Sequence, residues 1–186
     1  MAQSDPRVIL LDCDMRRPRL HHVFNFEREK GISSYLVGSN SLEEVILRTQ
    51  LDNLHVIPCG PIPPNPAEIL GSNKMRQLLD RLRQDYSRIV IDTPPLTAVT
   101  DSVVLAPHTD GVLLVIRAGE TPRPLIQNAL GQLHSVKAPI LGAVLNGVNT
   151  GRYGSYYYQY YYYYYGEDGD RKKKETRRRK AQASPY

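Results

Sequence analysis

The stretch Val8-Ile9-Leu10-Leu11-Asp12-Cys13-Asp14-Met15-Arg16-Arg17-Pro18 constrains the fold more than any other. Four apolar residues run into two aspartates spaced two apart, and then into paired arginines and a proline. A continuous apolar run of this length suits a strand buried on both faces of a parallel sheet. Acidic residues at its C-terminal end fall where open α/β sheets place their ligands. Arg88-Ile89-Val90-Ile91-Asp92-Thr93-Pro94-Pro95 repeats the pattern downstream. Two buried strands ending in aspartate can gather Asp12, Asp14 and Asp92, and the simplest reason to concentrate that charge is a divalent cation.

The intervening pattern alternates strands and helices. Ser41-Leu42-Glu43-Glu44 has capping-box spacing and predicts a helix to about Arg48. Leu54–Ile57 predicts a strand, and the prolines from Pro61 to Pro66 predict a shaped loop with a helix from Ala67 to Leu70. Ser72 is expected to cap a helix to about Tyr86 that faces inward through Met75, Leu78, Leu79 and Leu82. Arg88–Asp92 is expected to be a second central strand. Thr100-Asp101 should open a short helix, and Gly111–Ile116 should form a strand. A helix from Thr121-Pro122 to about Ser135 and a last strand, Ile140–Leu145 before Asn146, complete the set. The sum is an α/β, doubly wound parallel sheet.

Composition narrows the function classes. At 186 residues the chain can bury one real core. Its two cysteines, Cys13 and Cys59, make no disulfide framework, so a reducing compartment is the expectation. The apolar runs are strand-sized rather than membrane-spanning, and no secretory signal is visible. Eight Lys/Arg against four Asp/Glu in residues 166–186 account for +4 of the net +5. The basic character therefore belongs to the tail, and the body gives no reason to expect nucleic acid as a partner.

Beyond Thr150 the pattern breaks. Ten of the 13 tyrosines lie between residues 153 and 165: Tyr153, Tyr156, Tyr157, Tyr158, Tyr160, Tyr161, Tyr162, Tyr163, Tyr164 and Tyr165. No helix or strand could bury all these rings against one core. A basic run over residues 171–180 follows, so 151–186 is expected to be a disordered tail after a domain of residues 1–150.

Asp12-Cys13-Asp14-Met15-Arg16 after its strand resembles the Walker A′ motif of bacterial tyrosine kinases of capsule and exopolysaccharide biosynthesis. Ile89-Val90-Ile91-Asp92-Thr93-Pro94-Pro95 resembles their Walker B motif. Pro63-Pro64-Asn65-Pro66-Ala67-Glu68-Ile69-Leu70 and the terminal tyrosines are further marks of the family. The likeness covers residues 7–165. The body alone is also similar to partition and cell-division-site ATPases, and the tyrosine cluster separates the two.

The resemblance implies a P-loop NTPase-like kinase domain using ATP and Mg²⁺. By it, Asp14 and Asp92 would hold the metal, and Asp12 would accept the proton of an attacking tyrosine hydroxyl. Arg16 would meet phosphate or pair with the acidic cluster, with Arg17 a weaker candidate. Asn146 would read the adenine edge, although an asparagine there also suits a turn. The tyrosines listed above would be phosphoacceptors, modified between subunits of a ring-like homo-oligomer. The implied partner is a membrane-bound polysaccharide co-polymerase or activator, which places the chain in the cytoplasm at the inner face of the membrane.

One departure stands out. The family's Gly-rich Walker A loop and its strand are missing, because the first glycine is Gly31 and no Gly-Lys-Ser or Gly-Lys-Thr occurs. The expectation is a truncated, inactive kinase domain, or one completed by another chain; a partitioning-type ATPase and a non-catalytic substrate or scaffold are the alternatives. In the family that strand is interior, so its loss should leave two strands unpaired. Cys13, lacking a nearby His or second Cys in sequence, reads as packing, and His21-His22 reads as a surface pair.

Overall fold

The computed structural model describes residues 7–148. The tail, its tyrosine cluster and the basic run lie outside the described residues. Six strands and seven α-helices follow one another as β1 (Val8–Asp12), α1 (Leu20–Phe24), α2 (Ile32–Leu36), α3 (Leu42–Val45), β2 (Leu47–Arg48), β3 (Leu54–Ile57), α4 (Pro66–Leu70), α5 (Asn73–Asp85), β4 (Arg88–Asp92), α6 (Asp101–Leu105), β5 (Val112–Arg117), α7 (Arg123–Ser135) and β6 (Ile140–Asn146). A 3₁₀ turn, Ala106–His108, extends α6.

Four strands form one sheet in the order β2-β3-β1-β4. β1 lies parallel to both neighbours, with Leu11 beside Ile57 on one side and Asp12 beside Asp92 on the other. The edge strand β2 is antiparallel to β3, pairing Leu47 with Val56. Ser41 and Glu44 close the expected capping box, but the helix stops at Val45 rather than Arg48. Leu47 and Arg48 go to the sheet instead, since pairing with β3 supplies backbone partners that a short β-branched helix end does not.

β5 and β6 form a separate two-stranded sheet. They run in the same direction, because Val112 N–H donates to the Pro139 carbonyl at one end and Ala118 N–H to the Asn146 carbonyl at the other. The expected central position of β4 is therefore corrected. Among the described residues it has a strand on one side only, and its residues alternate between exposed and half-buried. β1, flanked on both sides, is the central strand.

By contacts the described residues fall into two units: 7–114 with 122–143, and 115–121 with 144–148. The first holds the main core. Ile9, Leu11, Met15, Ile32, Ile57, Leu70 and the inner face of α5 are fully buried there, with Ile89 and Ile91 packed alongside. A smaller cluster of the same unit joins Ala106, Leu133 and Ala138.

Candidate active site

β1 and β4 end level with each other, so parallel pairing alone brings Asp12 and Asp92 side by side at the carboxyl end of the sheet. The Cys13 amide continues the ladder, donating to the Asp92 carbonyl at 2.9 Å. Asp12 is wholly buried, and its Oδ2 accepts the Leu20 amide at 3.1 Å, from the start of α1. Its Oδ1 is buried without a hydrogen-bond partner. Burial, with a smaller push from the charge of Asp92, raises the Asp12 carboxyl to about 6. Burial and the charge of Asp14 likewise raise Asp92.

Asp14 shapes the turn that follows. Its Oδ1 accepts the amides of Arg16 at 3.1 Å and Arg17 at 2.9 Å, which bends the chain back over the strand end. Arg16 then reaches across to Asp101, donating from Nε at 2.9 Å and from Nη2 at 3.0 Å. Asp101 is fully buried at the first position of α6, and Ser102 beside it donates to the Pro94 carbonyl at 2.6 Å. The loop after β4 and the turn after β1 are thus tied through one bidentate pair. Of the two partners the sequence offered Arg16, the acidic one is taken, and it is Asp101 rather than the strand-end carboxylates. Arg17 is exposed.

Sequence reasoning placed Asp101 as a helix start and missed this role. Its signal was only a second acidic residue after the Pro94-Pro95 turn, too common a pattern to single out. His21 is also corrected: it is buried, and its Nδ1 lacks a partner, whereas His22 is exposed. The first turn of α1 carries both, so helical geometry sends one ring inward and leaves the other out. Cys13 and Cys59 end adjacent parallel strands as fully buried free thiols, and burial pushes Cys59 up to about 12. Neither has the lowered thiol of a nucleophile.

Asn146 closes β6 in the second unit. Its side-chain Oδ1 accepts the Gly147 amide at 2.8 Å, the local bond of a turn former, and the residue is exposed.

Whether these residues fit a magnesium ion can be tested on the carboxylates themselves. Among the described residues no three His, Cys, Asp or Glu side chains gather as a metal-holding group. Asp92 and the second oxygen of Asp14 are nevertheless available at the strand ends, and the orphaned Asp12 Oδ1 calls for a donor or a cation. Magnesium is commonly held by one or two carboxylates together with substrate phosphates and water. The donor set fits a metal that arrives with a nucleotide and does not fit one held by the protein alone. Among the described residues no helix is long and apolar enough to cross a membrane.

Comparison with known proteins points the same way. The family described as AAA domain matches residues 1–122. Tyrosine-protein kinase YwqD of Bacillus subtilis is 36% identical over 155 residues, 83% of this chain and 65% of that protein. Tyrosine-protein kinase Etk of Escherichia coli K12 is 38% identical over 148 residues, 80% of this chain but 20% of that much longer protein. The solved kinase domain of Escherichia coli Etk superposes with a TM-score of 0.76, covering 79% of this chain and 58% of that one. The cell-division ATPase MinD of Pyrococcus furiosus, with a TM-score of 0.60 at 23% identity, shares the fold alone.

Proposed function

The chain belongs to the bacterial tyrosine kinase family, within the AAA-type domains, and from that premise we propose that its strand-end carboxylates serve transfer of phosphate from MgATP to tyrosine. The observation that carries the reading is the side-by-side placement of Asp12 and Asp92, with the Asp12 carboxyl raised to about 6. A carboxylate near neutrality is suited to accept a proton from a phenol as its oxygen attacks. Asp14 and Asp92 would hold Mg²⁺, which when bound would neutralise phosphate charge. Arg16, held by Asp101, positions the turn that carries Asp14. Asn146 would meet the adenine edge by exchanging its local bond to Gly147.

The acceptors in this reading are the tyrosines of residues 153–165, presented to a neighbouring molecule. Each phosphate adds about −1.5 to −2 charges, so several would turn the tail strongly anionic and loosen a ring of subunits. Through a membrane-embedded activator at the inner face of the membrane, that cycle would regulate export of an exopolysaccharide or capsule.

The 186 residues contain no Gly-Lys-Ser/Thr loop to cradle phosphates. That supports a narrower reading for the chain by itself, as phosphoacceptor or scaffold rather than catalyst. Incubating the chain with the Escherichia coli Etk kinase domain and MgATP, then mapping phosphotyrosine by mass spectrometry, tests the acceptor role that both readings share, and the same incubation without Etk tests catalysis by the chain itself. Phosphate on residues 153–165 is expected. An unmodified tail beside an autophosphorylated Etk would remove the kinase-substrate reading.

A further inference from the structure

The amino-terminal end of the main sheet gathers cations that the candidate active site does not use. Arg48 and His55 stand opposite one another on β2 and β3, so their side chains share one face of the sheet. Ile9 lies beside His55 in the parallel register, and alternation puts Arg7, two residues earlier, on that same face. Helix α5 covers the face and ends there, at Tyr86. Tyr86 is 7% exposed, and its hydroxyl lies 2.6 Å from His55 Nδ1. The Arg7 guanidinium sits over the same ring, 5.1 Å from its centre. Burial first, and then the charges of Arg7 and Arg48, lower the His55 imidazole, while burial raises the Tyr86 phenol. A neutral ring that accepts the phenol proton at Nδ1 carries its own proton at Nε2. Like charges gathered around one ring call for a counter-ion, yet among the described residues neither Arg7 nor Arg48 is in an ion pair. Asp85, the carboxylate whose charge reaches Tyr86, lies 3.9 Å from Arg81 instead.

We propose that Arg7, Arg48 and His55 form a binding site for a dianionic phosphate group. Two planar guanidinium forks and an Nε2 proton offer more donors than one carboxylate accepts, whereas a phosphate presents three acceptor oxygens. The Tyr86 hydroxyl fixes the imidazole, so one donor is held in place before the anion arrives. The phosphate supplies the missing counter-ion to both arginines and favours the charged form of His55. Around that ring stand Arg7 ahead of β1, Arg48 from β2, and Tyr86 and Asp85 from the end of α5. Arg88 starts β4 beside Val8 at the same end of the sheet. Asp12 closes the other end of β1, about 13 Å along the strand from Val8, so the phosphate held here is not one being transferred. Its source is a phosphotyrosine side chain or free inorganic phosphate. The site does not rest on the kinase reading; only a phosphotyrosine source does.

The test follows the His55 imidazole by NMR in the full chain, labelled at histidine and kept in chloride buffer. Alone, the ring should titrate below its ordinary 6.5. With millimolar inorganic phosphate or phenyl phosphate, its resonances should shift saturably and its titration should move upward. Arg48→Gln and Arg7→Gln should each weaken that binding about tenfold. Arg48 is exposed on a two-residue edge strand, so its variant tests the site even where loss of the Arg7 contact with Tyr86 unsettles the fold. Tighter binding of phenyl phosphate than of inorganic phosphate supports the site with a phosphotyrosine side chain as its source. Equal or weaker binding of phenyl phosphate supports it with free phosphate as the source. An unmodified tail in the Etk incubation would leave both affinities as they are, so the two readings fail separately. A His55 resonance indifferent to both probes would overturn the proposal. So would affinity unchanged in both arginine variants, or the same shift from sodium chloride at matched ionic strength.

Discussion

Asp12 and Asp92 are register neighbours on parallel strands, yet only Asp12 is sealed from solvent, with one carboxylate oxygen left without a partner. That asymmetry makes Asp12 the more strongly destabilised charge of the pair, although burial and Asp14 raise Asp92 as well. Its folded carboxyl is raised to about 6 from an ordinary 3.8, so the folded chain binds the proton more tightly than the unfolded one. The stability tied to this group is therefore complete below about pH 4 and declines as pH rises toward and past 6. Asp12→Asn keeps an acceptor for the Leu20 amide and removes the charge. It should stabilise the fold by about 2–3 kcal/mol at pH 7.5 and by almost nothing at pH 4. Denaturant melts at the two pH values check this, and an equal effect at both would refute the burial argument.

Nucleotide linkage gives a second expectation. In the proposed reading Asp14 and Asp92 share a metal with nucleotide phosphates, and among the described residues no three His, Cys, Asp or Glu side chains form a metal-holding group. No lysine-bearing glycine loop occurs in the sequence. The chain alone should show no melting shift in millimolar MgATP. Ligand at a hundredfold above its dissociation constant would add about 2.7 kcal/mol, which moves a domain of this size by several degrees. A shift of that size would mean the phosphates find a cradle elsewhere on the chain.

Arg16 and Asp101 are 85 residues apart and joined by two hydrogen bonds, with Asp101 fully buried. Arg16→Ala would strand a buried carboxylate, and Asp101→Ala would free the turn that Asp14 organises. Each should lower the melting temperature by several degrees, and the double variant by little more than either alone. Arg16→Lys should fail to restore stability, since one ammonium cannot reproduce the planar fork. Additive losses in the double variant would show that the pair is not the coupling.

How much was legible follows periodicity and local chemistry. The apolar runs located β1, β3 and β4, and Ser72 marked the start of α5, because strands and caps depend on adjacent residues. The edge position of β4 was not legible in its own residues, because Ile89-Val90-Ile91 reads as an inner strand. The missing interior strand predicted that two strands would lack a neighbour, and among the described residues pairing shows β4 to be one with a strand on one side only. The Arg16–Asp101 bond escaped for the same reason, being made across the fold. The short α3 yielded to β2 because a neighbouring strand outbid local helix propensity. The level placement of Asp12 and Asp92 was the readable part of the candidate site's geometry, since two parallel strands that each end in an acid bring those acids side by side.

Two glycines should respond to alanine in opposite directions. Gly31 precedes α2 with an extended backbone that any residue can adopt, so its need is for space. A Cβ there would run into the Pro58 carbonyl and the backbone of Cys59 and Gly60. The contact is close because Ile32 and Ser33 donate their amides to the Pro58 and Cys59 carbonyls at 2.8 and 2.9 Å, clamping α2 onto the end of β3. Gly31→Ala must open that clamp and should cost about 1–3 kcal/mol. Gly131 lies inside α7 with nothing within 4 Å of an added Cβ. Gly131→Ala should therefore stabilise by about 0.5–1 kcal/mol through helix propensity alone. Urea melts of the two variants decide the matter, and a neutral Gly31→Ala would mean that the α2 clamp yields more easily than its hydrogen bonds imply.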